Sequence, residues 1–181
     1  MNIVRITILL LCIMISMLGC QVTPKSSPII PDSNGKLVKS LEFEAQYIRT
    51  DGYIDAISYP VISIIHSTDE LNEYYLKNKD IYYLDKRSEV IGNSTIGFLG
   101  AVEKYDNAYF NDSVLVLLLL EEGSGSIRHQ ITDIKRNEGF VEISINKLVP
   151  NYGTDDIAQW HIIVELQKGT ISDSEIKVVI K

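Results

Sequence analysis

The chain has 181 residues, 45% of them hydrophobic and 23% charged, the balance of a folded domain with a real core rather than of a disordered segment. With 17 basic against 24 acidic residues it carries a formal charge of −7, and no Lys/Arg cluster reverses this locally, so nucleic-acid binding is disfavoured. Tyrosine dominates the aromatics, with 10 against 4 Phe and 1 Trp, which suits half-buried strands and wet contact surfaces.

The first element in chain order is a targeting pattern. Arg5 is followed by the apolar run Ile6–Leu18, which is too short for the roughly 20 residues of a bilayer-spanning helix and fits the core of an export signal. The run ends in Met17-Leu18-Gly19-Cys20, a bacterial lipobox pattern in which small Gly19 admits the peptidase and the Cys20 thiol takes the lipid. Residues 1–19 are therefore expected to be a lipoprotein signal peptide, with Cys20 as the lipid attachment point. The competing reading is an uncleaved anchor helix. Cys12 and Cys20 are the two cysteines, so processing would leave no disulfide, Cys-ligated metal or Cys nucleophile in the fold. Loss of Arg5 leaves 16 basic against 24 acidic residues, a body of charge −8 that anionic lipid repels weakly. Residues 20–36 hold three of the five prolines with Ser, Asn and Gly and are expected to be a flexible tether.

Residues 37–181 are expected to form a single β-rich domain. Leu41, Phe43, Ala45 and Tyr47 alternate with polar residues, the period-two signal of a half-buried strand, and Asp51-Gly52 signals a hairpin turn. Extended segments follow in "YIDAIS" and "YPVISIIH". A helix is expected from Ser67, with Glu70 completing a capping box, Asp69 in the first turn, Lys77 and Lys79 near the end, and Leu71, Tyr74 and Tyr75 on one face. A second helix is expected over "STIGFLGAVEKYDNAYF", where Phe98, Leu99, Val102, Tyr105 and Tyr109 share helical spacing. Between them, "IYYLDKRSEVIGN" has no clear period. The last third reads as strands: Val114–Leu120, buried on both faces, then "SIRHQITDIKR", "GFVEISINKL", "IAQWHIIVELQ" and "SEIKVVIK". Turns fall at Asn137-Glu138-Gly139 and Lys168-Gly169-Thr170. The expected fold is mainly β (α+β), an antiparallel β-sandwich or curled sheet of about eight strands with two inserted helices.

Candidate chemistry is sparse. The loop "EEGSGSIRH" lacks the following helix and the Lys of a phosphate loop, and Gly123-Ser124-Gly125 does not have nucleophile-elbow spacing. It reads instead as a glycine-rich hairpin. With two glycines, two hydroxyls and Arg128 it is the candidate partner-contact loop, comprising Glu121, Glu122, Gly123, Ser124, Gly125, Ser126 and Arg128. His66, His129 and His161 are isolated, without metal-ligand spacing, and the two in strands are expected half-exposed. Asp155 or Asp156 is expected to cap a turn, and Trp160, Tyr105 and Tyr109 are expected in the core.

The order of an acid-leading helix ("STDELNEYY"), a helix ending "YDNAYFNDS", the strand "LVLLLLEEGSGSI" and the strand "DDIAQWHIIVEL" resembles the C-terminal domain of PrcB-type protease-complex accessory lipoproteins, over roughly residues 60–181. Where that family has a Thr-Gly-Gly-type element after the apolar strand, this chain has Gly123-Ser124-Gly125-Ser126. The resemblance implies a non-enzymatic β-rich domain, lipid-anchored on the outer face of a bacterial cell membrane, that supports an exported protease. No catalytic residues, metal or cofactor are expected. The alternatives are a structural or small-ligand-binding envelope lipoprotein and, less favoured, a serine hydrolase using Ser124 or Ser126 with His129 or His161.

Overall fold

An unbroken apolar strand can be buried only if protein covers both its faces, and the segment that begins at Val114 is built around that demand. A computed structural model describes residues 29–31, 37–52, 54, 57–85, 89–90, 93–94, 97–171 and 175–181. The export-signal pattern, Cys20 and much of "YIDAIS" lie outside them.

Among the described residues there are eleven strands and three helices. The strands are β1 (Ile29–Pro31), β2 (Leu37–Ser40), β3 (Glu44–Thr50), β4 (Val61–Ile65), β5 (Glu89–Val90), β6 (Asn93–Ser94), β7 (Ser113–Glu122), β8 (Arg128–Arg136), β9 (Phe140–Leu148), β10 (Ala158–Gln167) and β11 (Glu175–Ile180). The helices are α1 (Thr68–Tyr82), α2 (Phe98–Val102) and α3 (Tyr109–Asp112). Eight strands have four residues or more, and with the three-residue β1 they form two sheets, ordered β1-β2-β8-β9-β11 and β3-β10-β7-β4. All pairings are antiparallel except β9 with β11. The mainly β sandwich expected from the sequence is the fold observed.

Strand β7 pairs with β10 on one side and β4 on the other. Its Val114, Val116, Leu118 and Leu120 register against Leu166, Val164, Ile162 and Trp160 of β10, and all eight side chains face the second sheet. Ile131 and Ile134 of β8 and Val141, Ile143 and Ile145 of β9 close this core from across the sandwich. Ile131 and Ile134 are an odd number of residues apart yet face the same way, because a β-bulge between Ile131 and Asp133 inserts one extra residue. The alternate residues Leu115, Leu117 and Leu119 join Ile48, Ile65 and Ile163 in a second core, covered by Leu71 and Tyr82 of α1 and by Phe98, Tyr105 and Phe110. The molecule is thus three layers deep, with β7 and β10 in the middle.

Helix α1 begins as expected. The Ser67 hydroxyl accepts the Glu70 N–H at 3.1 Å, and the Glu70 carboxylate accepts the His66 N–H at 2.7 Å. It runs past Lys79 to Tyr82, because Tyr82 is 1% exposed and the extra turn buries it. The second expected helix is broken in two. Between α2 and α3 the Asp106 carboxylate accepts the Tyr109 N–H at 2.8 Å, and such side chains compete with helical backbone bonds. Leu99, expected on the buried stripe, is 45% exposed.

Three expectations of local pairing fail because strands adjacent in sequence are not adjacent in a sheet. The alternating segment from Leu41 is not one strand: β2 lies in one sheet and β3 in the other, with the crossing at residues 41–43. Asp51-Gly52 is no hairpin turn, since β3 and β4 sit at opposite edges of their sheet. Gly52 is needed for close approach instead. A Cβ there would collide with the Ile81 carbonyl oxygen and lie 2.7 Å from the Tyr82 Cα. The loop after Glu122 is no hairpin either, since β7 and β8 belong to different sheets. The hairpin at Gly139 is real, with φ of +82° there joining β8 to β9. Within the segment read as a tether, Ile29–Pro31 pairs antiparallel with Leu37–Lys39, so the sheet starts before residue 37.

Gly52→Ala should therefore lower folding stability by about 2–3 kcal/mol, because the backbone of α1 must retreat. Gly123→Ala, where an added Cβ meets nothing within 4 Å, should change it by less than about 0.5 kcal/mol. Urea denaturation of both variants checks this, and equal losses would contradict the close-packing account.

Candidate functional site

Residues 123–127 carry the chain from one sheet across to the other, and this crossing is tied down at both ends. The Ser124 and Ser126 hydroxyl oxygens lie 2.8 Å apart, and both accept the Thr154 N–H, at 2.9 and 3.0 Å. The Gly125 N–H donates to Asp156 Oδ1 at 3.0 Å, while the Arg49 guanidinium of β3 pairs with Asp156 Oδ2. Arg128 Nη1 donates to the Gly125 carbonyl at 2.6 Å and the Ile127 carbonyl at 3.0 Å, and its guanidinium lies 5.0 Å from the Trp160 ring centre. Gly125 leaves room for the ends of the Asp156 and Arg49 side chains. A Cβ there would strike the Asp156 carboxylate and come within 2.6 Å of the Arg49 guanidinium. Asp156 accepts a backbone amide, as expected of it or Asp155, but that amide lies 31 residues earlier in the chain. Hydrogen bonds from Thr154 and the Gly125 amide hold its carboxyl below the usual carboxylate range.

A second anchor lies at the end of β7. Glu122 is 6% exposed and accepts hydrogen bonds from His129 Nε2 at 2.8 Å and from Lys147 Nζ at 2.5 Å, so one carboxylate joins β7, β8 and β9. His129 is buried, edge-on to Trp160 at 5.9 Å between ring centres, and burial lowers its pKa. Trp160 lies in the inter-sheet core, as expected.

Of the seven candidate contact residues, Glu122 and Gly125 are buried and offer nothing to a partner. Glu121, Gly123 and Arg128 are exposed, and Ser124 and Ser126 are partly so. Glu121 accepts a hydrogen bond from Gln159 Nε2 at 2.7 Å. The more conspicuous surface belongs to residues that the sequence reading passed over. At the end of β9 and in its connection to β10, Leu148 is 48%, Val149 65%, Tyr152 90% and Ile157 50% exposed. Thr154 and Asp156 bind this connection directly to the Ser124–Ser126 crossing, and Gly153 leaves room for the Ser124 hydroxyl beside it. The two loops form one surface. The available signal was that Tyr152, among Pro150, Asn151 and Gly153, falls in a turn, where no strand period could bury it.

The histidines do not assemble with the serines. His161 lies on the opposite face of its sheet from Trp160, enclosed by Tyr74, Tyr82 and Phe98 at 6.2, 5.3 and 5.7 Å between ring centres. The Thr50 hydroxyl is 3.3 Å from its Nδ1, and its Nε2 has no partner among the described residues. The expectation that His129 and His161 are half-exposed is thus wrong, at 6% and 1%, because each fills an aromatic-lined gap in a core. His66 is exposed at the start of α1. Among the described residues no group of three or more His, Cys, Asp and Glu is placed to hold a metal ion, and no helix is long and apolar enough to cross a membrane. Compared with protein-family models, curated proteins and solved structures, the chain matches none.

Burial pushes the His161 pKa down to about 3, against about 6.5 in an unfolded chain. The unfolded chain then takes up a proton that the folded one refuses. The stability from a neutral His161 is complete above pH 6.5 and declines as the pH falls from 6.5 towards 3, by up to about 1.4 kcal/mol per pH unit. His161→Phe, which suits the aromatic surroundings, should leave stability at pH 7 within about 1.5 kcal/mol and flatten this decline. Denaturation midpoints at pH 7, 6, 5 and 4 test it, and an unchanged slope in the variant would refute the assignment.

Proposed function

We propose that this chain is a lipoprotein held on the outer face of the cell membrane through Cys20, and that its folded part is a non-enzymatic binding or accessory module for a protein partner. The resemblance to PrcB-type accessory lipoproteins makes an exported protease the partner class of choice. The observation that carries the reading is the exposed apolar group Leu148, Val149, Tyr152 and Ile157 beside the hydrogen-bonded Ser124–Ser126 crossing. Large aromatic and aliphatic side chains left in water on a well-held frame suit recognition, because little order remains to be imposed on binding. Glu121 and Arg128 supply polar contacts at the same end.

A hydrolase is disfavoured by the positions of the side chains. His129 turns its Nε2 to Glu122, and His161 is enclosed on the far side of its sheet, so neither serves as a base for Ser124 or Ser126. A small-ligand role is the second reading. It is favoured by a cleft of about 370 Å³ lined by Phe43, Tyr109, Ser113 and Glu165, among others.

One experiment separates these readings: in-cell cross-linking, followed by recovery of the tagged full chain from membranes. The wild-type chain should co-purify with one partner protein. Val149→Ser/Tyr152→Ala should reduce that recovery about tenfold or more at unchanged chain level, and Cys20→Ser should move the chain out of the membrane fraction. Equal partner recovery with the double variant would contradict the contact surface. Firm membrane retention of Cys20→Ser would contradict the lipid anchor.

A further inference from the structure

A sheet that is not closed has two edges, and an edge strand presents unpaired N–H and C=O groups to any chain that can approach. Among the described residues the edges of the two larger sheets are β1 and β11, and β3 and β4. Three of the four carry residues that discourage pairing: Pro31 in β1, Glu175 and Lys177 in β11, Glu44 and Arg49 in β3. Strand β4 carries none. Its sequence is Val61-Ile62-Ser63-Ile64-Ile65, with neither charge nor proline. Val61, Ile62 and Ile64 remain partly exposed, although Ile62 and Ile64 pack on the inter-sheet core and Val61 on the helical one.

We propose that β4 is a self-association edge, and that its occupant is β4 of a second copy, paired antiparallel about a two-fold axis at Ser63. Three features of the strand point to its own copy. The segment is nearly symmetric about Ser63: reversed on itself, it sets Ile62 against Ile64, Val61 against Ile65 and Ser63 against Ser63. Every opposed pair is thus apolar with apolar or hydroxyl with hydroxyl, the combinations that favour cross-strand packing. Second, two copies of a chain of charge −7 repel each other, and an uncharged strand is where they can meet with least cost. Third, symmetry about Ser63 makes the outward-facing backbone groups self-complementary. Depending on which alternate residues face outward, the pair closes about four to six hydrogen bonds and joins two four-stranded sheets into one of eight. Such an interface is isologous and self-limiting, giving dimers rather than filaments.

The test uses the full chain in mild detergent. Residues opposite each other in an antiparallel ladder lie about 4.5–5.5 Å apart at Cα, within the span of a disulfide. Under mild oxidation Ser63→Cys should therefore give a covalent dimer well above that of the wild-type chain, and Lys177→Cys on β11 should not. In sedimentation velocity the wild-type and Ser63→Thr chains should be dimeric. Ser63→Lys, which sets two ammonium groups face to face, should raise the dissociation constant about tenfold or more while its thermal transition shows it folded. A wild-type chain that stays monomeric would overturn the proposal. So would a dimer indifferent to Ser63→Lys, or protection of the Val61–Ile65 amides that appears only when a different protein or peptide is added.

Discussion

The constraint on which the structure rests is the burial of β7 on both faces. From Val114 to Leu120 no side chain is polar and all seven are at most 4% exposed. Each such residue is worth roughly 1.5–3 kcal/mol when removed from water, so no arrangement that wets either face of this strand can compete. One face is answered by a second sheet and the other by α1, α2 and α3. Its two edges are answered by β10 and β4. Because both edges are taken, the chain leaving Glu122 cannot fold back beside β7, and its next strand must be laid down in the opposite sheet.

The candidate surface follows from that crossing. A connection between two sheets leaves backbone groups without ladder partners, and those groups need other acceptors and donors. Asp156, Arg49 and Arg128 provide them at Gly125, the Ser124 and Ser126 hydroxyls accept the Thr154 N–H, and Glu122 joins the three strand ends below through His129 and Lys147. The same bonds hold the β9–β10 connection in place, with Tyr152 and Val149 at its outside. The frame and the surface it presents are therefore products of one topological necessity.

Local periodicity made much of the fold legible. The period-two segments of β8 to β11, the Ser67 cap and the doubly buried β7 could be read because each depends on neighbours in sequence. Sheet membership could not. Asp51-Gly52 carries the signature of a hairpin, but whether two strands pair is decided by how β7 and β10 compete for edges, which no local pattern records. Gly52 stood in a turn signature, but nothing local disclosed that a helix backbone packs against it. His129 and His161 misled for a related cause: a lone histidine in an alternating strand does not disclose that aromatic rings enclose it. At the candidate site, Ser124, Ser126 and Arg128 stood out as a motif. Tyr152 did not, since exposure is a property of the assembled end and not of the turn that holds it.

The account's central claim is that β7 is the last element to lose its structure. Residue-resolved hydrogen exchange under native conditions tests this most directly. The amides of Val114–Leu120, with those they pair to in β10, should exchange only through global unfolding and be the slowest in the chain. If they exchanged faster than the amides of β8 and β9, the outer sheet would hold the fold together, and the dependence argued from β7 would be wrong.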